Sequence, residues 1–106
     1  MTKTTTFKFP IPREIILNSN QSVCQRVKGL RVKALRRMGE ALGKTLSDFS
    51  FDKYSVDVFV YPPSKRRLDP PNLYPTTKPL IDGLTDAGML VDDDHEHIRS
   101  MTFYYG

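Results

Sequence analysis

The stretch Tyr54-Ser55-Val56-Asp57-Val58-Phe59-Val60-Tyr61 alternates strictly, with Tyr54, Val56, Val58 and Val60 on one side and Ser55, Asp57, Phe59 and Tyr61 on the other. A two-residue period rich in β-branched and aromatic side chains is the pattern of a half-buried strand. Pro62-Pro63 ends it, because proline has no N–H to give to a ladder. A single short strand is not stable by itself, so the flanking sequence must supply further strands and a cover. The chain has 106 residues, which suits one domain over residues 1–106.

Upstream, Phe7, Phe9 and Ile11 share one face if the segment from residue 7 to 17 is extended, and Pro10 and Pro12 confine that segment to an edge or a broken strand. Asn18-Ser19-Asn20-Gln21-Ser22 is a cluster of turn and N-cap residues. A helix is expected to follow from about Val23 to Leu42. Val23, Val27, Leu30, Ala34, Met38 and Ala41 recur at three- and four-residue steps as its apolar stripe, and Gly43 reads as its stop. Downstream, a second helix is expected from about Thr77 to Ala87, with Thr76 or Thr77 as cap, Pro79 in its first turn, Leu80, Ile81, Leu84 and Ala87 facing the core, and Gly88 as its stop. A last strand runs from Ile98 to Tyr105. The fold class read from this β-α-β-α-β order is α+β, a small mixed sheet with two helices packed on it. Met38, Met89 and Met101 read as core filler.

Charge is distributed unevenly. Residues 1–68 hold 14 Lys+Arg against 5 Asp+Glu, a net of +9, while residues 69–106 hold 2 against 7, a net of −5. The first helix carries Arg26, Lys28, Arg31, Lys33, Arg36 and Arg37, and no acid appears between Ser22 and Gly39 to pair with them. Unpaired basic residues on one helix, with Lys65-Arg66-Arg67 further on, point to phosphates of a nucleic acid. The one cysteine, Cys24, excludes an internal disulfide and weighs against a cysteine-based zinc site. His95 and His97 read as a polar surface edge. No signal-peptide pattern and no long apolar run occurs, so the expectation is a cytoplasmic protein with no membrane partner, and no small-molecule cofactor is expected.

Three acidic sites bracket the second helix: Asp69 before it, Asp82 on it, and Asp92-Asp93-Asp94 after it. A ten-residue helix is only about 15 Å long, so the chain on either side can fold back and gather these carboxylates. Gathered carboxylates repel unless a cation neutralises them. Oxygen-only ligands favour a hard ion, Mg²⁺ or Mn²⁺, the usual equipment for hydrolysing phosphodiesters. Singly, each acid has a plainer reading: Asp69 before proline as a turn residue, Asp82 as the i,i+4 partner of Lys78 on a solvated face, and the aspartate run as a loop.

From Arg66 to Asp93 the sequence resembles the RusA family of Holliday junction resolvases, in a divergent, phage-type form. That family carries a basic run, an Asp-x-Asp-Asn-Leu signature, a helix with Lys and Asp four residues apart, and a closing Asp-Asp pair. The counterparts here are Arg66-Arg67-Leu68-Asp69, Asn72-Leu73, Lys78-Pro79-Leu80-Ile81-Asp82, Ala87-Gly88 and Asp92-Asp93. The resemblance implies catalytic roles for Asp69, Lys78 and Asp93, metal ligation by Asp69, Asp82, Asp92 and Asp93, and DNA contact through Arg26, Lys28, Arg31, Lys33, Lys65, Arg66 and Arg67. It implies a homodimer that nicks a four-way DNA junction symmetrically with Mg²⁺ or Mn²⁺. Two departures stand out. Pro71 occupies the place of the second carboxylate, and the segment between Asn72 and Lys78 is longer. Asp82 or Asn72 is the candidate to supply the missing oxygen. The alternative reading is a non-catalytic branched-DNA-binding module of the same fold. Family members commonly continue with another strand, so the edge after Gly106 is expected to be completed by a partner or left incomplete.

Overall fold

A computed structural model describes residues 4–19, 22–45, 50–62, 69–91 and 96–106. Along the chain it places a 3-10 turn at Arg13–Ile15, helix α1 at Gln25–Lys44, strand β1 at Tyr54–Val60, a second 3-10 turn at Pro70–Leu73, helix α2 at Tyr74–Asp86 and strand β2 at Ile98–Tyr105. The fold is α+β.

β1 and β2 pair in parallel, with Val56 opposite Met101, Val58 opposite Phe103 and Val60 opposite Tyr105. Parallel neighbours cannot be joined by a tight turn, and the crossover between them carries α2. Tyr54 faces Ile98 but Ser55 faces Ser100, so Arg99 is the extra residue of a bulge. On the inner face, Tyr54, Val56, Ile98 and Met101 pack with Ile81 and Leu84 of α2. The outer face presents Phe59 and Tyr104, stacked with ring centroids 4.9 Å apart. Just before β1, Phe51 forms an isolated parallel bridge with Leu90: its amide donates to the Met89 carbonyl at 2.8 Å, and its carbonyl accepts from Val91 at 3.0 Å.

The N-terminal segment departs from the strand expected over residues 7–17. Phe7, Phe9 and Ile11 alternate with exposed neighbours, as a strand would, yet no ladder forms and Arg13–Ile15 turns instead. Pro10 and Pro12 remove two amides from the short run, which leaves too few donors for pairing. The alternation still orders the packing. Phe7 lies against the cluster shared by the sheet and α2, and Phe9 and Ile11 lie against a second cluster of Leu17, Leu35 and Leu80.

Val23 and Met38 of the expected stripe pack against the cluster of Leu17, Leu35 and Leu80, but α1 centres its contact with α2 on a face rotated from that stripe. Leu35, Gly39 and Gly43 are its buried residues, while Leu30 is 61% exposed and Ala41 is exposed. The shift is about one residue step, roughly 100° around the helix. Its cause is the glycines. A Cβ on Gly39 would run into the Leu80 carbonyl group, coming within 3.0 Å of its carbon, and one on Gly83 would come within 2.6 Å of the Glu40 nitrogen. A Cβ on Gly43 would lie 2.8 Å from that of Ala87. Gly43, expected as a stop, is therefore a contact residue inside the helix. At the other end, Cys24 occupies the N-cap position and its side chain makes no cap hydrogen bond, so the N-cap falls after Ser22 rather than within the expected capping cluster.

α2 begins earlier than expected, directly after the 3-10 turn, so Pro79 falls in its second turn. Its end follows the glycine signal. Gly88 has φ +85°, its amide donates to Thr85, and the Met89 amide donates to the Leu84 carbonyl at 3.1 Å. This is a Schellman cap, completed by the apolar contact between the residues it joins: Leu84 and Met89 belong to one core cluster.

Gly39→Ala and Gly83→Ala meet backbone atoms that cannot swing aside. Each is expected to lower stability by about 3 kcal/mol or more, the upper end of overpacking costs. Gly29→Ala, with nothing within 4 Å of its Cβ, should raise stability by roughly 0.5–1 kcal/mol through helix propensity. Urea midpoints at constant m-value read both effects.

Candidate active site

α2 presents three faces. Leu80, Gly83 and Ala87 meet α1 and its neighbours, and Ile81 and Leu84 meet the sheet. Pro75, Lys78 and Asp82 fall within about 60° of one another on the third. Lys78 Nζ lies 2.8 Å from Asp82 Oδ1, with the two side chains 35% and 26% exposed. The four-residue step read from the sequence is thus a formed ion pair, half withdrawn from water, and both residues have further partners. Asp86, the next step along, turns away. Arg36 of α1 grips its carboxylate with two donors, one of them Nη2 at 2.8 Å from Oδ1, so Asp86 ties α2 to α1.

Asp69 sits at the head of the Pro70–Leu73 turn with an exposed side chain. Its carbonyl accepts the Asn72 amide at 2.9 Å, but its carboxylate makes no cap hydrogen bond. Where aspartate before proline serves merely as a turn residue, the carboxylate is usually consumed by the backbone; this one is not. Pro70 and Pro71 occupy the first two positions of the turn, where a missing N–H costs nothing and a fixed φ helps.

Two contacts that sequence reasoning missed hold this region from behind. Thr76 is 4% exposed. Its Oγ1 accepts the Leu17 amide at 2.8 Å and donates to the Leu17 carbonyl at 2.6 Å. The Ser19 amide and hydroxyl both donate to the Asn72 carbonyl, at 2.8 and 3.2 Å. The segment before α1 is thereby stitched to the start of α2. Thr76 had been a candidate helix cap, and nothing in its local sequence signals a bond to a residue 59 positions away.

The basic residues divide. Arg26, Lys28 and Lys33 are exposed on α1, as a phosphate-contacting surface requires. Arg31 differs from these three. It is half-buried, its Nη1 donates to the Ile16 carbonyl at 2.9 Å, and its Nε is buried with no hydrogen-bond partner. The guanidinium reaches the segment before α1, where the Ile16 carbonyl takes it, and its stem packs inward. His97 is half-buried, with Nε2 3.5 Å from Asp52 Oδ1. Lys65, Arg66, Arg67, Asp92 and Asp93 lie outside the described residues.

Asp69 and Asp82 are oxygen donors of the kind a hard divalent ion takes. Among the described residues, no group of three His, Cys, Asp or Glu gathers to hold a metal, so these two carboxylates would need further ligands from residues 92–93. Among the described residues, no helix is long and apolar enough to cross a membrane. Compared with protein families, curated proteins and solved structures, the chain matches none.

Thr76→Val keeps the shape and removes the hydroxyl, leaving the Leu17 amide and carbonyl buried without partners. Each such group costs about 1–3 kcal/mol. The expected loss is about 2–4 kcal/mol by chemical denaturation, and Thr76→Ser should restore most of it.

Proposed function

We propose that the protein is a divalent-metal-dependent endodeoxyribonuclease acting on branched DNA, a RusA-like resolvase of four-way junctions that works as a homodimer. The observation that carries this reading is the pairing of Lys78 with Asp82 on the outward face of α2, with Asp69, whose carboxylate makes no cap hydrogen bond, at the head of the turn that leads into that helix. A formed Lys–Asp pair alone is ordinary on a helix. An aspartate held just before it by two prolines, with its carboxylate free of the backbone, is not explained by turn formation.

The chemistry would run through these residues as follows. A water oxygen attacks phosphorus, the bond from phosphorus to the 3′ oxygen breaks, and the products are a 5′-phosphate and a 3′-hydroxyl. Asp69 and Asp82, with Asp92 and Asp93, would hold Mg²⁺ or Mn²⁺, which when bound supplies an acidified water and offsets charge on the phosphate. Lys78 would stabilise charge on a phosphate oxygen or on the leaving 3′ oxygen. Its bond to Asp82 keeps the ammonium oriented before substrate arrives. Arg26, Lys28 and Lys33, with Lys65, Arg66 and Arg67, would bind phosphates without reading bases. Two copies would match the two-fold symmetry of a junction and place one nick on each of two strands.

On a synthetic four-way junction with Mg²⁺ or Mn²⁺, wild type is expected to give paired nicks. Asp69→Asn and Lys78→Ala should each slow cleavage by about 10²–10³-fold while leaving junction binding within a few-fold. Tight, salt-sensitive binding without cleavage at any divalent ion would leave the non-catalytic module, in which Pro71 has displaced an essential ligand. Light scattering of the free protein checks the dimer.

A further inference from the structure

A cavity of about 260 Å³ opens where the chain enters α1. Asn18, Ser19, Ser22, Gln25 and Lys28 form its polar side, and Pro75 of α2 closes it. No carboxylate is among its lining residues. One turn further along α1 stands Arg31, whose guanidinium meets a backbone carbonyl and has a buried Nε without a partner. The Lys28 ammonium in the wall, with no carboxylate among the lining residues, makes the recess attractive to an anion. The volume lies below the roughly 300–1,000 Å³ of pockets that enclose drug-sized ligands. It suits a small, strongly hydrogen-bonded group.

Position narrows the choice. Pro75 shares the outward face of α2 with Lys78 and Asp82. The rise of a helix puts Lys78 about 4.5 Å and Asp82 about 10 Å along the axis from Pro75. Along a DNA duplex axis each strand advances about 3.4 Å per nucleotide, so a strand lying along this face would bring a phosphate to the cavity about one nucleotide from the phosphate at Lys78. The Ser19 and Thr76 bonds hold the cavity wall and the start of α2 in one frame, so the spacing is built in.

We infer that this cavity seats a backbone phosphate of the DNA strand being cut, flanking the bond addressed by Lys78 and Asp82. The inference rests on the nuclease reading and adds to it a fixed phosphate subsite outside the carboxylate cluster. Lys28 supplies the charge, and the Ser22 hydroxyl and Gln25 amide supply neutral donors.

Two measurements test it, both without divalent metal. In the first, a fluorescent four-way junction is titrated by anisotropy over a salt series. Lys28→Gln should weaken binding about tenfold and lower the slope of log K against log salt by about one. Ser22→Glu, which sets a carboxylate at the cavity mouth, should weaken it at least as much. Lys44→Gln, at the far end of α1, should match wild type. In the second, amide spectra are recorded with a short oligothymidylate and, separately, with inorganic phosphate. Oligonucleotide shifts concentrated on Ser19, Ser22, Gln25 and Lys28, and lost in Ser22→Glu with the fold intact, support the subsite. Unchanged affinity and salt slope in both variants would overturn it, even if wild type cleaves junctions. Shifts with inorganic phosphate alone, with none from the oligonucleotide, would overturn the assignment to a DNA phosphate. Cavity shifts with the oligonucleotide in a protein that never cleaves would sink the nuclease reading and leave the subsite standing.

Discussion

The architecture depends on the contact of two helix backbones at Gly39 and Gly83. Helices carrying ordinary side chains at their contact stay roughly 8–10 Å apart. Here a methyl group on either glycine would overlap main-chain atoms of the other helix, so nothing larger than hydrogen fits between them. That approach buries one face of α2 against α1, while the parallel crossover buries a second against the sheet. A helix has few faces to give. Once Leu80 and Gly83 are committed to one side and Ile81 and Leu84 to the other, Pro75, Lys78 and Asp82 are what remains for chemistry. The outward face is thus specified by subtraction, through packing that itself has no functional content.

The other constraint on that face comes from the distant N-terminal segment. Thr76 and Asn72 receive their partners from Leu17 and Ser19, and these bonds fix both the first turn of α2 and the turn before it. Hydrogen bonds to buried backbone groups are costly to lose and hard to exchange for water. Asp69, three residues before Asn72, therefore starts from a defined point. A carboxylate held by such a frame loses less freedom when it takes a ligand than one on an unanchored loop, which is the general benefit of placing functional groups on supported elements.

Local periodicity made the regular elements legible. The alternation of Tyr54 to Tyr61 gave β1, the Gly88 signal gave the end of α2, and the Lys78–Asp82 step gave an ion pair that forms. What stayed hidden was non-local. The apolar stripe of α1 found Val23 and Met38, which pack on the core, but missed the centre of the contact because counting large side chains assigns no weight to glycine. Phe7, Phe9 and Ile11 alternate as a strand does, yet pairing depends on amides that Pro10 and Pro12 lack. Arg31 counted as one more surface cation until its Ile16 partner was placed, and Arg36 looked unpaired because Asp86 is 50 residues away. Of the candidate site, Asp69, Lys78 and Asp82 were legible as residues. The Thr76 clamp and the cavity beside Lys28 were not, since each is made by segments that meet only in the fold.

Pro71 sets the chemical question at this site. With proline there, the 3-10 turn has its dihedral angle preset at two successive positions, which favours the geometry that leaves the Asp69 carboxylate clear of the backbone. A second aspartate would add an oxygen donor and also a negative charge close to Asp69, and like charges at that spacing raise the cost of keeping both ionised. On α2, Asp82 is already balanced by Lys78. Among the described residues Asp69 forms no ion pair, and a single carboxylate attracts a dication only weakly. Any firm metal site must therefore draw on the acidic run after α2. The Schellman cap at Gly88 and the bridge between Phe51 and Leu90 bear directly on this, because they fix where the chain stands as it enters that run.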